Sequence, residues 1–577
     1  MGDFSRIDHE FVSGKMTLLS QYMEAFPEDF PAELQEKLEE MKKYAAMSQT
    51  SVESDCEDET IIDGCPVKEW VRHLCPNLYS DFTLKHHNLG IHPGYMGIML
   101  LRMALLTADA VEAGSNPTVY CYHFPEMMNA FNRLRLWDGR ISFPNCKDWV
   151  EYLYGLSEFL IPLSAAQTAC DRDTAGLARL MEREIFGHLD WIQQNQTGER
   201  EGSFGDFSEG EWGHDSRDAG ALMLSHNIHL RCGFAEPGDA NELERRGRGV
   251  FYSPEGKFIH VKGERRYASW GWWVKGHPHG TVVPRGGGFG SHLPSFHVRS
   301  LCSGFEGNEQ WPRPAFDGER IIKVTPIGEE GFTVVHCDTH TNQLTEQIAI
   351  AALPDDRTVV YLSRLVYNGT EPVPNFTIHG ALNYTFLYRE FSGNIRTIHY
   401  DGGVTDVNSF GKKGTSWINL DDMLGIVGLY GSDSFSVGNI GEHMRHRLNW
   451  QTTGIVQYPR VGQIDLLPDK TVYDMGVAFL ADINRDQTEQ ADKEHWLKML
   501  CSDDEGLKVI GVRGADGKTY WIGMNFSEDS RAWNTELSSF PSGFCKLSGE
   551  KSGFSVDESM LILQIAPYEL LLIHSVP

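Results

Sequence analysis

The densest collection of groups able to do chemistry lies in residues 260–299, HVKGERRYASWGWWVKGHPHGTVVPRGGGFGSHLPSFHVR. It holds five histidines, His260, His277, His279, His292 and His297, and four tyrosine or tryptophan rings within seven residues, Tyr267, Trp270, Trp272 and Trp273. Arg265, Arg266, Arg285 and Arg299 add positive charge, and Gly286, Gly287, Gly288 and Gly290 let backbone approach a ligand closely. Tryptophans beside arginines suit an anionic sugar: the indole packs on the apolar face of the ring and the guanidinium grips the carboxylate. An aromatic core with a Gly-rich loop is the plainer reading. The number of titratable groups in one loop-rich segment favours a site.

Three smaller clusters follow the same logic. In 211–231, EWGHDSRDAGALMLSHNIHLR, a helix carries His226, Asn227 and His229 near its end and Asp215 and Asp218 near its start. The aspartates fit helix capping, whereas an imidazole beside an amide can neutralise a carboxylate and move a proton. In 85–95, KHHNLGIHPGY, a loop with His86, His87, Asn88, His92 and Tyr95 precedes an apolar helix that would aim it inward. In His336-Cys337-Asp338-Thr339-His340, strand spacing would put His336, Asp338 and His340 on one face, a possible structural Zn or Ca site. No cofactor is otherwise required. There is no GxSxG elbow, no GxxxxGK[ST] loop and no HExxH pair.

The elements that must position these groups change near residue 236. Before it, helical spacing is expected over Met16–Phe26, Ala32–Met47, Val67–Leu74, Pro93–Ala113, Trp149–Ile161, Ala165–Gln194 and Ala219–Leu230. Pro93–Ala113 is apolar nearly all round and reads as an inner helix. Segment 197–212 reads as a loop. After Pro237, short runs rich in Val, Ile, Tyr and Phe alternate with Gly, Asp, Asn and Pro, and Asp355-Asp356, Asp401-Gly402 and Asp516-Gly517 mark turns. The expectation is α+β and multidomain: a helical domain over 1–236, then antiparallel sheets over 237–577 with about eleven strands and a small terminal sheet from about residue 490.

Composition narrows the function. The 577 residues are 41% hydrophobic and 23% charged, which is globular. A net charge of −29 argues against nucleic acid and anionic membrane as partners. No run reaches the roughly 18 apolar residues of a membrane span. Eleven scattered cysteines without a CxxC pair, and no apolar core at the N-terminus, read as reduced thiols in a cytoplasmic protein. A homodimer is compatible with unpaired strand edges.

Helices first, then a large antiparallel domain, with Asn, His, Tyr and Arg near the junction, resembles the polysaccharide lyases built from an (α/α) toroid and a β-sandwich, the heparinase II/III-like and alginate-lyase-like enzymes. Gln347–Val366, QIAIAALPDDRTVVYLSRLV, and Ile418–Tyr430, INLDDMLGIVGLY, look like strand pairs of such a sandwich. The short helical part would make an incomplete toroid. The resemblance implies cleavage of a uronic-acid-containing carbohydrate by β-elimination. It implies Asn88 or Asn227 with His226 as carboxylate neutralisers, and Tyr95, Tyr267, His277 or His279 as base and acid. His87, His292, Arg265 and Arg266 would bind anionic groups, and Trp270, Trp272 and Trp273 would build sugar subsites. A glycoside hydrolase using Glu211, Asp215, Asp218 or Glu264 is the runner-up, and a non-catalytic carbohydrate-binding protein the third reading.

Overall fold

Apolar runs that alternate along a strand need a second layer on each face, and the sheets formed after Gly247 supply such layers. The computed structural model describes residues 23–37 in part, 49–144 and 160–186 with gaps, 209–272, 279–286, 295–297, 302–303, 320–339, 343–378, 382–387, 395–431, 434–439, 453–458, 463–494, 496–503, 506–537, 543–557 and 559–576. The chain divides into one unit of residues 1–247 and 253–257 and another of residues 248–252 and 258–577. The division therefore follows the helix Ala240–Arg246 rather than preceding it at Pro237.

In the first unit, the helix Pro93–Glu112 is interior as its composition requires: Met96, Met99, Leu100, Met103, Ala104 and Leu106 are all buried. Each Met or Leu among them contributes roughly 1.5–3 kcal/mol of burial. The helix packs against the short helices Thr118–Cys121 and Phe124–Arg133, neither of which was expected; Pro125 near the start of the second is its one local signal. The helix expected over Ala219–Leu230 is longer, Glu209–Cys232, and takes in residues 209–212, the end of the stretch that read as a loop. Residues 197–208 lie outside the described residues, as do 16–22 and 149–159 of two expected helices. Among the described residues no helix is long and apolar enough to cross a membrane.

The second unit is built from antiparallel sheets. One has nine strands, in the order Arg320–Ile327, Gly331–Thr339, Leu344–Ala352, Thr358–Tyr367, Lys470–Ala481, Leu424–Tyr430, Trp417–Leu420, Thr397–Tyr400 and Gly403–Asp406. A second nine-stranded sheet includes Phe258–Lys262, Arg266–Gly271 and His279–Pro284 as neighbours. The two pack face to face, with Trp270 against His336 and Tyr384 against Phe479. On the other face of the first sheet, Val335, Cys337, Ala349 and Val360 meet Ile510, Val512, Ile522 and Leu572 of a five-stranded sheet that begins at Leu497. The alternate residues Val509, Leu571 and Ile573 point away, onto Leu561, Leu563 and Ile565 of a three-stranded sheet. Period-two alternation thus explains why these strands read as unbroken apolar runs.

More strands form than the eleven expected. Arg266–Gly271, which read as a site, is buried along its whole length. The three turns fall where their Asp and Gly residues predicted: Asp355 and Asp356 join Leu344–Ala352 to Thr358–Tyr367, and Asp401-Gly402 and Asp516-Gly517 close two further hairpins. The helix Arg485–Lys493 lies on the first sheet, where Asn419 Nδ2 donates to the Ile483 carbonyl and to Thr488 Oγ1, both at 2.8 Å. Its start is a capping box: Asn484 Oδ1 accepts the Gln487 N–H at 2.9 Å and Gln487 Oε1 accepts the Asn484 N–H at 3.1 Å. Asn484→Ala is expected to lower stability by about 1 kcal/mol in urea unfolding; an unchanged midpoint would mean that tertiary contacts alone hold the helix.

Candidate functional site

Helical spacing on Glu209–Cys232 sends two sets of residues in opposite directions. Ala221, Ser225, Ile228 and His229 are buried, while His226, Asn227 and Leu230 are exposed. Gly233 ends the helix at φ +94°, and its N–H donates to the His229 carbonyl at 2.8 Å. Arg231 in the last turn reaches Asp109 at 3.1 Å and also pairs with Glu112, both on Pro93–Glu112.

Behind the exposed pair lies a polar brace. His229 Nε2 sits 3.0 Å from Glu182 Oε1, and Ser225 Oγ donates to the same oxygen at 2.7 Å. Arg179 donates to the other carboxylate oxygen at 2.5 Å. Burial alone would raise the Glu182 pKa. Hydrogen bonds from His229 and Ser225, with the charges of His229 and Arg179, outweigh it and hold the carboxyl below its usual range. Phe234, 49% exposed, stacks on the His229 ring at 5.2 Å, lies 6.0 Å from the His226 ring, and receives the Arg179 guanidinium over its face at 4.9 Å. The half-exposed Phe234 ring beside the exposed His226 imidazole, with Asn227 exposed next to it in sequence, offers apolar surface for a sugar and polar groups for its carboxylate. Glu182, Arg179 and Phe234 were missed from the sequence. The only local hints are the Arg179–Glu182 helical spacing and the Phe that follows the helix-ending Gly.

A second polar cluster of this unit was also missed. His123 adopts a left-handed conformation, φ +55°, and its Nε2 lies 2.7 Å from Asp55 Oδ1; Asp55 Oδ2 accepts the Ser51 N–H at 2.7 Å. Tyr122 donates to Asp58, and the Phe82 and Tyr122 rings flank the imidazole at 4.9 and 4.1 Å. Burial opposes charge on His123, yet Asp55 and Glu126 raise its pKa from 6.5 to about 9. A raised pKa contributes stability that is complete below pH 6.5 and is lost as pH rises through about 9. His123→Gln should therefore be less stable than the parent by about 2–3 kcal/mol at pH 6, with the gap closing by pH 10. A gap independent of pH in urea unfolding would contradict the ion pair.

The remaining sequence candidates are placed as follows. Tyr267 is fully buried and stacks on His260 at 5.2 Å. Arg266 is fully buried and donates to the carbonyls of Thr358, Leu353 and Glu330 at 2.6, 2.9 and 3.3 Å. Trp270 is fully buried, and Trp272 is 7% exposed with its ring 6.2 Å from Tyr252. Arg266, Tyr267 and Trp270 serve packing and hydrogen bonding because the strand that carries them is covered on both faces, and Trp272 follows the strand's end, also buried. Arg265 is exposed and lies 3.5 Å from Asp482. Tyr95 falls in the first turn of Pro93–Glu112 and His279 starts the strand His279–Pro284, but their side chains lie outside what is described. His87, Asn88, Trp273, His277, His292 and His340 are outside the described residues.

His336 and Asp338 do share a strand face, 2.9 Å apart at Nε2 and Oδ2, both buried. The Trp270 indole donates to His336 Nδ1 at 3.3 Å. An indole nitrogen only donates, so Nδ1 accepts and the ring proton facing Asp338 is on Nε2. Arg320 grips both oxygens of Asp338 at 2.6 and 2.9 Å. In this arrangement neither ring nitrogen has a lone pair for a metal. Among the described residues no group of three or more His, Cys, Asp or Glu could hold one.

No protein-family model matches this sequence, and no curated protein matches it. Among solved structures, a xanthan lyase from Paenibacillus is similar over 99% of this chain and 66% of its own, with a TM-score of 0.51 and 8% identity. The chain thus spans slightly less than two thirds of that enzyme's length. A mutant heparan sulfate lyase from Pedobacter heparinus is similar over 90% of this chain and 74% of its own, with a TM-score of 0.38 and 9% identity. A heparinase III structure is similar over 90% and 75%, with a TM-score of 0.35 and 9% identity. At such identities the likeness concerns the fold, and the first match extends it along nearly the whole chain: the protein has a polysaccharide-lyase-like fold.

Proposed function

We propose that the protein cleaves a uronic-acid-containing oligo- or polysaccharide by β-elimination. The observation that carries this reading is the fold shared with a xanthan lyase over 99% of the chain. The helical first unit supports an (α/α) toroid-like domain, and the two facing nine-stranded sheets support a β-sandwich.

Elimination makes three demands. The carboxylate on C5 must be neutralised so that the C5 proton becomes acidic, a base must take that proton, and an acid must protonate O4 as the C4–O4 bond breaks and the C4–C5 double bond forms. Exposed His226 and Asn227 are suited to the first task, and the His229–Glu182–Ser225 brace holds their helix turn in place. On residue type, Tyr95, His277 and His279 are the candidates for proton transfer. The half-exposed Phe234 supplies apolar surface for the sugar ring. Cytoplasmic action on short oligosaccharides and a homodimer belong to the same proposal.

The test is a screen of uronate oligosaccharides with two readouts, ultraviolet absorbance of the new double bond and release of reducing ends. Both signals together are expected. Reducing ends without absorbance would overturn the lyase reading in favour of hydrolysis.

A further inference from the structure

A cavity of about 380 Å³ opens in the second unit, between the helix Arg485–Lys493, the end of Lys470–Ala481 and the hairpin around Gly514–Gly517. Its volume falls at the small end of ligand pockets. The inner wall is apolar, with Leu480, Ile483, Leu497 and Val512 all buried. The mouth is polar and holds Arg357, Arg513, Gln490, Glu494 and Trp496.

The two arginines stand out. Among the described residues, neither guanidinium has a hydrogen bond or an ion pair, and Arg357 Nε is buried without a partner. Burial and the like charge of Arg265 both bear against the Arg357 cation; Asp355, Asp482 and Asp356 oppose them from a distance. The hydrogen bonds of the neighbouring carboxylates go to other groups: Asp355 accepts the N–H groups of Arg357, Thr358 and Ala515, and Glu494, which feels the charge of Arg513 from a distance, accepts from Gln490 Nε2 at 2.8 Å and Trp496 Nε1 at 3.1 Å. Those contacts also fix the Trp496 indole in the wall. A partly desolvated guanidinium without a partner is unfavourable, and Arg357 with the exposed Arg513 at the same cavity mouth calls for an anion.

We infer that this cavity is a binding site for a small carboxylate-bearing sugar, with the carboxylate between Arg357 and Arg513 and the ring against Trp496 and the apolar wall. The anion requirement stands on the arginines alone. The choice of a sugar as the body also rests on the proposed elimination activity.

Titration calorimetry with sodium glucuronate, glucose and inorganic phosphate tests it on the intact protein. Glucuronate has no glycosidic bond at C4, so its binding is read apart from any turnover. Glucuronate should bind with heat that glucose does not give, and phosphate should bind more weakly because it offers nothing to the indole. Arg513→Gln and Arg357→Gln should each weaken glucuronate binding about tenfold or more, and Trp496→Ala should weaken glucuronate but not phosphate. Any glucuronate heat that His226→Ala or Asn227→Ala removes belongs to the site on the first unit; the heat that persists in those variants and is lost in Arg357→Gln and Arg513→Gln belongs to this cavity. Equal binding of glucose and glucuronate by the parent protein, or no binding of glucuronate at millimolar concentration, would overturn the proposal without any variant having to fold. Phosphate binding more tightly than glucuronate would overturn the sugar assignment.

Discussion

His226→Ala and Asn227→Ala each lower kcat/KM on a uronate oligosaccharide by about a hundredfold or more, while the unfolding midpoint stays close to that of the parent. The two halves of this expectation have separate causes. Both side chains are exposed on a helix, so alanine removes no core contact and suits the helical backbone. The charge they meet grows in the transition state, as electron density from the broken C5–H bond moves toward the carboxylate. An interaction stronger there than in the bound substrate appears mainly in kcat. Full activity in both variants would remove the pair from the mechanism. A rise in KM with unchanged kcat would make it a binding element only.

Asp338→Ala is the most damaging single change expected in the second unit, about 3–5 kcal/mol. Asp338 is 2% exposed and is the shared partner of Arg320 and of His336. Its removal strands a guanidinium and an imidazole in an interior with little water. Burial would raise the Asp338 pKa, but His336 and Arg320 outweigh it and keep the carboxyl well below its usual range. A depressed pKa contributes stability that is present above the unfolded value and lost only as pH falls through the folded one. The deficit of the variant should therefore be constant from pH 5 to 8 in urea unfolding and shrink only in strong acid. A loss below about 1 kcal/mol would mean that water or a rearranged side chain replaces the carboxylate.

How far these features could be read from the sequence depends on the distance along the chain over which they act. The inner helix Pro93–Glu112, the Asp355-Asp356 turn and the shared face of His336 and Asp338 follow from local spacing, and all three are present. The strand Arg266–Gly271 misleads for a physical reason. Its Arg, Tyr and Trp residues carry the chemistry of a site, but Arg266 finds acceptors in turns around Leu353 and Thr358, and Trp270 finds His336 on the facing sheet. No pattern within the strand announces those partners. The same holds for Asp55 with His123, and for Glu182 with His229, where helices far apart in sequence bring acid and imidazole together. His226 and Asn227 were legible as a pair; the ring of Phe234 beside them and the brace behind them were not.

The central claim is that the glycosidic oxygen leaves by elimination, with no water entering the product. Turnover of a uronate oligosaccharide in water enriched in oxygen-18, followed by mass spectrometry of the products, tests it most directly. The account predicts an unsaturated fragment lighter than its hydrolytic counterpart by one water, with no heavy oxygen incorporated during cleavage. A saturated fragment pair carrying one heavy oxygen would contradict it and assign hydrolysis to this fold.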